Sequence, residues 1–172
     1  MAADIRLNEV KYENFYDLIK LEVNETQKNY VASNMFSLAE AYAVVASGGY
    51  ALPFGICLGD KPIGFLMIGY YPDLEYARRA FDDDEEIPDF VAGSYLLWRF
   101  MIDKEFQGKG YGKEALRLAL DFVRTRPCGP AARCWLSYEP ENDVARNLYR
   151  SFGFEEQPLP KGWDEVPAVL EL

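Results

Sequence analysis

Histidine is absent from the 172-residue sequence, and cysteine occurs only three times. Histidine is the commonest general base of enzymes and completes the Ser-His and Cys-His pairs of many hydrolases, so these hydrolase classes are excluded. Acid-base chemistry must rely on tyrosine, carboxylates, lysine or water. The cysteines, Cys57, Cys128 and Cys134, show no Cys-x-x-Cys spacing, and a zinc site needs more cysteine or histidine ligands than these. We therefore expect no metal.

Long apolar segments are missing as well. Apolar patches such as Phe65–Ile68 are far shorter than the ~20 residues that span a bilayer. The N-terminal residues are mixed in charge and lack the apolar stretch of a secretory signal. An odd number of cysteines suits a reducing compartment. We expect a cytoplasmic protein without a membrane partner.

Basic residues are outnumbered, with 18 Lys and Arg against 28 Asp and Glu, which gives a formal net charge of −10 at pH 7. Nucleic-acid binding relies on clustered Lys and Arg, so no nucleic-acid partner is expected and a cationic partner is favoured. Five of the acidic residues form the run Asp82–Glu86. Such a run either attracts cations or is a solvated loop.

The length and composition predict a single domain that spans residues 1–172. Its N-terminal part is predicted to contain one strand and two helices. Alternating apolar and polar residues in Ile5–Val10 predict a strand, and helical spacing from Phe15 to Glu22 predicts a helix. The capping-box pattern of Ser37 and Glu40 predicts that a second helix begins near Ser37.

Further along, the pattern predicts a hairpin and then alternating strands and helices. The hairpin joins apolar runs at 54–58 and 63–70, and the later elements are strands at 95–102 and 133–138 and helices at 110–124 and 142–152, the last ended by a left-handed Gly153. Strands that first pair and then alternate with helices indicate an α+β (mixed α/β) fold, with helices on a mixed, mostly antiparallel sheet.

A glycine-rich junction follows the strand at 95–102. In Gln107–Gly112, glycines allow a tight turn that directs several backbone N–H groups to one point. The N-terminus of the next helix adds partial positive charge, and Lys109 and Lys113 supply cations. The junction is therefore a candidate phosphate or pyrophosphate site.

Two familiar nucleotide motifs do not match this junction. A Walker loop would need glycine at Gln107 and serine or threonine at Glu114. The dinucleotide pattern Gly-x-Gly-x-x-Gly, started at Gly108, would need glycine at Lys113. A different phosphate-containing ligand is therefore indicated.

The spacing Gln-x-x-Gly-x-Gly at Gln107, Gly110 and Gly112, followed by the pattern in Asn142–Phe154, resembles the motifs of the GNAT superfamily of N-acetyltransferases. The resemblance covers residues 95–155. A glycine turn alone is more often a packing feature, and the second motif in register favours the GNAT interpretation. The resemblance implies acetyl-coenzyme A (acetyl-CoA) as cosubstrate and direct acetyl transfer to an amine.

The resemblance also implies roles for individual residues. The backbone of Phe100, Met101 and Ile102 would pair with the pantetheine arm of the coenzyme, as an added strand does, and a backbone N–H there would stabilise the oxyanion of the reaction. Asn142 would contact the coenzyme. The residues implied to hold the pyrophosphate are Gln107, Gly108, Lys109, Gly110, Tyr111, Gly112 and Lys113.

Tyr149 is the general acid that the resemblance implies for the departing thiolate. A thiol of pKa ~8.5 is a stronger acid than a phenol of pKa ~10, so Tyr149 is expected to act mainly as a hydrogen-bond donor. It also shares an apolar stripe with Ala145, Leu148 and Phe152, the pattern of a core tyrosine. The general base is not singled out; without histidine, a glutamate acting directly or through water is expected.

The stretches Lys20–Ala32 and Trp98–Asp103 resemble those of bacterial spermine/spermidine acetyltransferases, which implies a polyamine acceptor. The carboxylates that could contact such an amine are Glu22, Glu25, Asp82 and Asp83. Alternatively, they are the solvated side of a helix and a solvated loop. The aromatic residues that either line a cation-binding groove or merely pack are Tyr70, Tyr71, Tyr76 and Phe81.

Three function classes stay open. The chain is a polyamine acetyltransferase, an acetyltransferase for another small amine or a peptide N-terminus, or a noncatalytic acyl-CoA-binding module. A homodimer is compatible with each of them. Fold-level resemblance alone does not fix the acceptor.

Overall fold

The computed structural model describes residues 4–172. Its strands are β1 (Ile5–Glu9), β2 (Ala51–Leu58), β3 (Lys61–Tyr71), β4 (Ser94–Ile102), β5 (Arg133–Tyr138), β6 (Glu155–Glu156) and β7 (Val166–Glu171). Its helices are α1 (Tyr12–Leu18), α2 (Asn34–Ala46), α3 (Leu74–Ala77), α4 (Tyr111–Arg124) and α5 (Asp143–Arg150), and a 3-10 helix spans Glu25–Gln27. Within residues 4–172, no helix is long and apolar enough to cross a membrane.

The strands form a sheet in the order β1-β2-β3-β4-β5-β7-β6. β4 and β5 are parallel, whereas the pairs β1–β2, β5–β7 and β6–β7 are antiparallel. The α+β class with a mixed, mostly antiparallel sheet is therefore confirmed.

Two compact units are present. The first comprises the chain up to Ile68 together with Arg99–Thr125, and the second comprises Gly69–Trp98 together with Arg126–Leu172. Each unit contains part of β3 and part of β4, so the units are not successive domains along the chain.

The first unit is built around Leu18 and the apolar face of α4. Leu18 is fully buried at Gly55, where an added Cβ would lie 2.8 Å from a Leu18 methyl carbon. The last carbonyls of a helix lack helical partners, and the side-chain amide of buried Asn34 donates to the Leu18 carbonyl at 2.8 Å. The buried residues of α4 are Ala115, Leu116, Ala119, Leu120 and Val123.

The second unit has an aromatic core. Its buried members are Ala77, Phe90, Val91, Leu96, Trp135 and Val169, and Tyr71, Phe81, Ile87, Trp98 and Trp163 pack against them. Trp163 stacks on Phe81 with ring centroids 5.6 Å apart, and its indole N–H donates to the Glu86 carbonyl at 3.0 Å. The Glu86 carboxylate accepts the Lys161 N–H at 2.9 Å. The acidic run is therefore held at its C-terminal end by the segment before β7.

Helix α2 begins before the predicted position. The sequence predicts a start near Ser37, but the helix begins at Asn34 with Ser33 as N-cap, whose hydroxyl accepts the Phe36 N–H at 3.2 Å. Ser37 is fully buried inside the helix, and its hydroxyl donates to the Ser33 carbonyl. Glu40 forms an ion pair with Arg99 at 2.9 Å and does not complete a capping box. The predicted start is therefore wrong by about one turn.

The first helix is shorter than the prediction. α1 ends at Leu18, and Glu22 lies beyond it in irregular chain, where its N–H donates to the Asp103 carboxylate at 2.9 Å. The prediction for β5 matches its observed bounds. Gly153 has a φ of +90°, so its predicted left-handed conformation is confirmed.

The Tyr95 hydroxyl forms hydrogen bonds with backbone groups of a turn at Cys128 and Gly129 in the second unit. The hydroxyl oxygen accepts the N–H groups of Cys128 and Gly129 at 2.9 and 3.2 Å and donates to the Gly129 carbonyl at 3.1 Å. Tyr95 is fully buried, and burial raises its pKa. The turn therefore depends on one neutral hydroxyl.

We predict that Tyr95→Phe lowers the free energy of unfolding by about 1–3 kcal/mol, because buried N–H groups lose their acceptor. Urea unfolding followed by circular dichroism measures the change. Tyr42→Phe is the control, because Tyr42 is 78 % exposed. Equal stability of the two variants would contradict the role given to the Tyr95 hydroxyl.

Candidate active site

The loop between β4 and α4 has the backbone conformation that its glycines predict. Gly108 and Gly110 have φ values of +73° and +81°, a left-handed region that favours glycine. A Cβ added to either glycine would meet no heavy atom within 4 Å. The space beside both glycines is therefore open to a ligand.

Helix α4 starts directly at this loop, with Gly110 as its N-cap. The Gly110 carbonyl accepts the Glu114 N–H at 3.4 Å, so the N–H groups of Tyr111, Gly112 and Lys113 come before the first N–H that has a helical acceptor. These three donors and the dipole of a 14-residue helix favour an anion. The predicted pyrophosphate site thus has the required donors.

The side chain of Gln107 is engaged within the chain. Its Oε1 accepts from the Asn24 amide at 2.9 Å, and its Nε2 donates to Gln27 Oε1 and to the Ile102 carbonyl, both at 2.9 Å. These bonds fix the 3-10 helix to the end of β4. Gln107 therefore shapes the loop with its side chain, and a ligand contact would fall to its backbone.

The two lysines of the loop differ in their surroundings. Lys109 Nζ donates to the Glu105 carbonyl at 2.8 Å and lies 5.1 Å from the centroid of the Phe106 ring. Lys113 is exposed on the first turn of α4. Lys109 stabilises the loop, whereas Lys113 is the more accessible cation.

The end of β4 directs alternate residues to β3. A Cβ on Gly64 of β3 would lie 2.5 Å from the Met101 carbonyl oxygen, and the Asp103 N–H donates to the Ile63 carbonyl at 2.8 Å. Backbone polar groups of successive residues in a strand point to opposite edges. The groups of Met101 therefore face β3.

By the same alternation, the backbone groups of Phe100 and Ile102 point to the other edge of β4. On that edge the ladder with β5 covers only Ser94–Leu96. The Ile102 carbonyl accepts from Gln107. At the C-terminal end of β4 this edge thus includes the N–H and carbonyl of Phe100 and the N–H of Ile102, which suit an extended ligand.

Helix α5 of the second unit carries Asn142 and Tyr149. Asn142 is its N-cap, with Oδ1 accepting the Ala145 N–H at 3.1 Å. Tyr149 is only 8 % exposed, and its ring packs on Tyr138 and Phe154 with centroids 5.8 and 5.9 Å away. Among residues 4–172 the Tyr149 hydroxyl has no hydrogen-bond partner.

Tyr149 therefore combines a core ring with an unsatisfied hydroxyl. Burial raises its pKa well above that of an ordinary tyrosine, and the nearby Glu165 and Tyr138 add to the rise. The phenol stays protonated at neutral and mildly alkaline pH. The hydroxyl has no partner within residues 4–172, so it can donate to water or to a ligand.

Glu139 and Glu165 are acidic residues that sequence patterns did not single out. Glu139 directly follows β5, and Glu165 directly precedes β7. The ladder of these strands ends at the pair Tyr138–Val166, so the next pair in register would be Glu139 and Glu165.

The sequence matches the Acetyltransferase (GNAT) family over residues 15–154. The chain belongs to this family. The match covers the glycine loop and the α5 motif together, and it makes the protein an acetyl-CoA-dependent N-acetyltransferase.

Relatives with named activities and solved structures of similar fold were found. The GNAT protein is 28 % identical over 151 residues to the spermine/spermidine N(1)-acetyltransferase of Bacillus subtilis, covering 88 % of each chain. Its fold is similar to that of aminoglycoside acetyltransferase AAC(6')-Ib in complex with coenzyme A, with a TM-score of 0.72, 18 % identity and coverage of 98 % and 95 %. The PaiA N-acetyltransferase of Thermoplasma acidophilum, also bound to coenzyme A, gives a TM-score of 0.65, 16 % identity and full coverage of both chains.

The predicted acceptor contacts of the GNAT protein lie on separate units. Glu22 forms an ion pair with Lys104 at 3.0 Å, which lowers the pKa of its carboxyl, and Glu25 pairs with Lys28 at 2.7 Å. In the second unit, Asp82 and Asp83 are exposed. The charges of Glu22 and Glu25 are thus neutralised by neighbours, and the acceptor role of all four stays a prediction.

The aromatic residues near the acidic run pack in the second unit of the GNAT protein. Tyr70 is buried, with its hydroxyl donating to the Pro130 carbonyl at 3.0 Å and its ring 4.8 Å from that of Tyr95. Tyr71 lies among the rings of Tyr76, Phe81 and Trp135. These contacts favour the packing interpretation over a cation-binding groove.

We predict that Gly110→Glu abolishes coenzyme A binding by the GNAT protein, because it adds bulk and negative charge beside the helix N-terminus. Isothermal titration calorimetry with coenzyme A measures the loss. Gly48→Glu is the control: Gly48 has a similar φ of +79° and equally open surroundings, so it reproduces the backbone strain and the charge elsewhere. Unchanged coenzyme affinity in Gly110→Glu would disprove the site.

Proposed function

We propose that the protein transfers the acetyl group of acetyl-CoA to a primary amine of a polyamine such as spermidine or spermine. The observation that carries this proposal is the similarity to a spermine/spermidine N(1)-acetyltransferase across 88 % of both chains. A net charge of −10 supports it, because an acidic protein attracts a multiply charged amine and increases the rate of encounter.

The coenzyme is assigned to the first unit. The open space at Gly108 and Gly110, where a Cβ would meet nothing, fits a pyrophosphate held by the N–H groups that begin α4. The outer edge of β4 at Phe100 and Ile102 would pair with the pantetheine amides. When bound, acetyl-CoA supplies an acetyl group activated as a thioester.

An N–H on that edge of β4 is the proposed oxyanion donor. Backbone donors that are fixed before the reaction stabilise developing charge on a carbonyl oxygen without reorganisation. Of the two edge residues, Ile102 keeps its N–H while its carbonyl is bonded to Gln107. Met101 is less suitable, because its backbone faces β3.

Tyr149 is the proposed donor to the departing sulfur. Its raised pKa makes it a weaker acid than the thiol, so it provides a hydrogen bond and relays a proton only as charge builds on the leaving group. The protonated phenol is present over the whole neutral range, because a raised pKa delays its ionisation.

We expect the purified protein to release free thiol from acetyl-CoA when spermidine or spermine is added. The assay compares these polyamines with aminoglycosides, amino acids and peptides. Turnover only with one of the other amines would disprove the polyamine acceptor, but acetyl transfer from acetyl-CoA to an amine would still be supported. Tight coenzyme binding without any turnover would instead favour a noncatalytic acyl-CoA-binding module.

We predict that Tyr149→Phe lowers kcat about 100-fold with little change in the dissociation constant of coenzyme A, because only the hydrogen bond to the leaving group is lost. Steady-state kinetics and calorimetry give the two values. Tyr42→Phe is the exposed control and should retain wild-type kcat. A wild-type kcat in Tyr149→Phe would show that the Tyr149 hydroxyl does not assist the leaving group and that the residue only packs in the core.

A further inference from the structure

Helix α2 of the first unit has polar side chains inside and apolar side chains outside. Its buried residues are Asn34, Ser37 and Ala41. The Asn34 amide donates to the Leu18 carbonyl, and the Ser37 hydroxyl donates to the Ser33 carbonyl. A surface helix usually has the opposite arrangement, with its apolar side toward the core and its polar side toward water. The outer side of α2 therefore has the composition of a covered surface.

The outer side of α2 combines large and small apolar side chains. The large ones are between 55 and 78 % exposed, and the small ones are exposed alanines. We call this set the α2 face, and its members are Met35, Phe36, Ala39, Tyr42, Val45 and Ala46.

Charge is nearly absent from this helix, although charged residues make up 27 % of the chain. Glu40 is the one charged residue of α2, and Arg99 neutralises it at 2.9 Å. Because α2 contains no lysine or arginine and the chain has a net charge of −10, an anionic membrane surface is disfavoured. Interface cores are depleted of charged residues and enriched in aromatic residues and methionine. The α2 face therefore suits a protein partner.

The area of the α2 face matches one half of a small dimer interface. An aromatic side chain presents about 150–250 Å², so the exposed fractions of the six residues together offer about 600 Å². A stable interface buries at least about 1,200 Å² in total, or about 600 Å² on each partner. A second, identical face would supply the other half.

Four members of the α2 face form a single stripe along the helix. The stripe has the spacing i, i+4, i+7, i+11 and consists of Met35, Ala39, Tyr42 and Ala46. This spacing is that of the seam between two packed helices. Large and small side chains alternate along it, so the direction of a partner helix decides which sizes meet.

The stripe is complementary to itself when two copies run antiparallel. Met35 then lies opposite Ala46 of the partner subunit. Tyr42 lies opposite Ala39 of the partner subunit. In a parallel pair each residue would lie opposite its own copy, so tyrosine would meet tyrosine and alanine would meet alanine. Well-packed contacts place large side chains opposite small ones, which favours the antiparallel pair.

We propose that α2 of one chain packs antiparallel against α2 of a second copy, around a twofold axis that passes between Ala39 and Tyr42. Closed twofold dimers are the commonest oligomers of soluble proteins, and they use the same patch on both subunits. Phe36 then lies beside Val45 of the partner subunit at each end of the seam. The dimer does not depend on which amine the enzyme acetylates.

Analytical ultracentrifugation of the full chain tests this interface. Its modest area predicts a wild-type dissociation constant of about 10 μM, so the average mass should rise from monomer toward dimer between about 1 and 100 μM protein. For Tyr42→Glu we expect this constant to rise at least about 100-fold, because the twofold axis brings two added charges together. A wild-type protein that is still monomeric at the highest concentration would overturn the inference and leave the α2 face to a different protein.

Tyr12→Glu is the matched control for Tyr42→Glu. Tyr12 lies on α1 of the same unit, is 79 % exposed against 78 % for Tyr42, and receives the same charge. Tyr12→Glu and the ring-preserving Tyr42→Phe should dimerise like wild type, and circular dichroism should show the same helix content in all variants. A dimer that persists in Tyr42→Glu, or that is lost equally in Tyr12→Glu, would count against the α2 interface.

The salt dependence separates apolar association from ion pairing. Two chains of net charge −10 repel each other, and salt screens this repulsion. Dimerisation should therefore become tighter when NaCl is raised from about 0.05 to about 0.5 M. Weaker dimerisation in high salt would show that ion pairs hold the subunits together, which contradicts a seam without charges.

Cysteine cross-linking tests the direction of the helices. Met35→Cys and Ala46→Cys chains, mixed in the presence of oxidised glutathione, should form a disulfide-linked dimer, whereas each chain alone should not exceed the wild-type background. Wild type measures this background because it contains Cys57, Cys128 and Cys134. Efficient cross-linking of Met35→Cys chains with each other would show a parallel pair and overturn the antiparallel arrangement.

Discussion

Each residue of a strand presents its backbone hydrogen-bonding groups to one edge only, and this constraint on β4 organises the coenzyme half of the site. Met101 serves β3, whereas Phe100 and Ile102 face an edge on which the β5 ladder ends at Leu96. Backbone groups must find partners, so an edge without a neighbouring strand accepts a ligand or water. The left-handed Gly110 then starts α4, and one strand-loop-helix offers both an extended edge and an anion site.

The acidic residues of this chain differ in whether they form ion pairs with basic residues. Glu22 and Glu25 are neutralised by lysines, and exposed pairs of this kind contribute little to stability. Glu139 and Glu165 form no ion pair with a lysine or arginine within residues 4–172, and burial together with the charge of Glu165 raises the pKa of Glu139.

Local patterns predicted the fold class, β5 and the glycine loop, because strand alternation, helical periodicity and left-handed glycines depend on neighbouring residues. They failed at the start of α2, where Ser33 and Ser37 are both good caps and only the tertiary burial of Ser37 decides between them. They also missed Glu165, because its relation to Glu139 depends on the β5–β7 register. The motif located Gln107 but not the contacts of its side chain, whose partners lie about eighty positions earlier in the chain.

Those contacts of Gln107 have an evolutionary consequence. The side-chain amides of Asn24, Gln27 and Gln107 are joined by hydrogen bonds, and Gln107 also donates to the Ile102 carbonyl. Replacing one of these amides therefore removes a donor or an acceptor that another of them needs. Substitutions at these three positions should therefore be correlated among homologues. The motif glutamine thus connects the loop that faces the cosubstrate to the protein's own N-terminal segment.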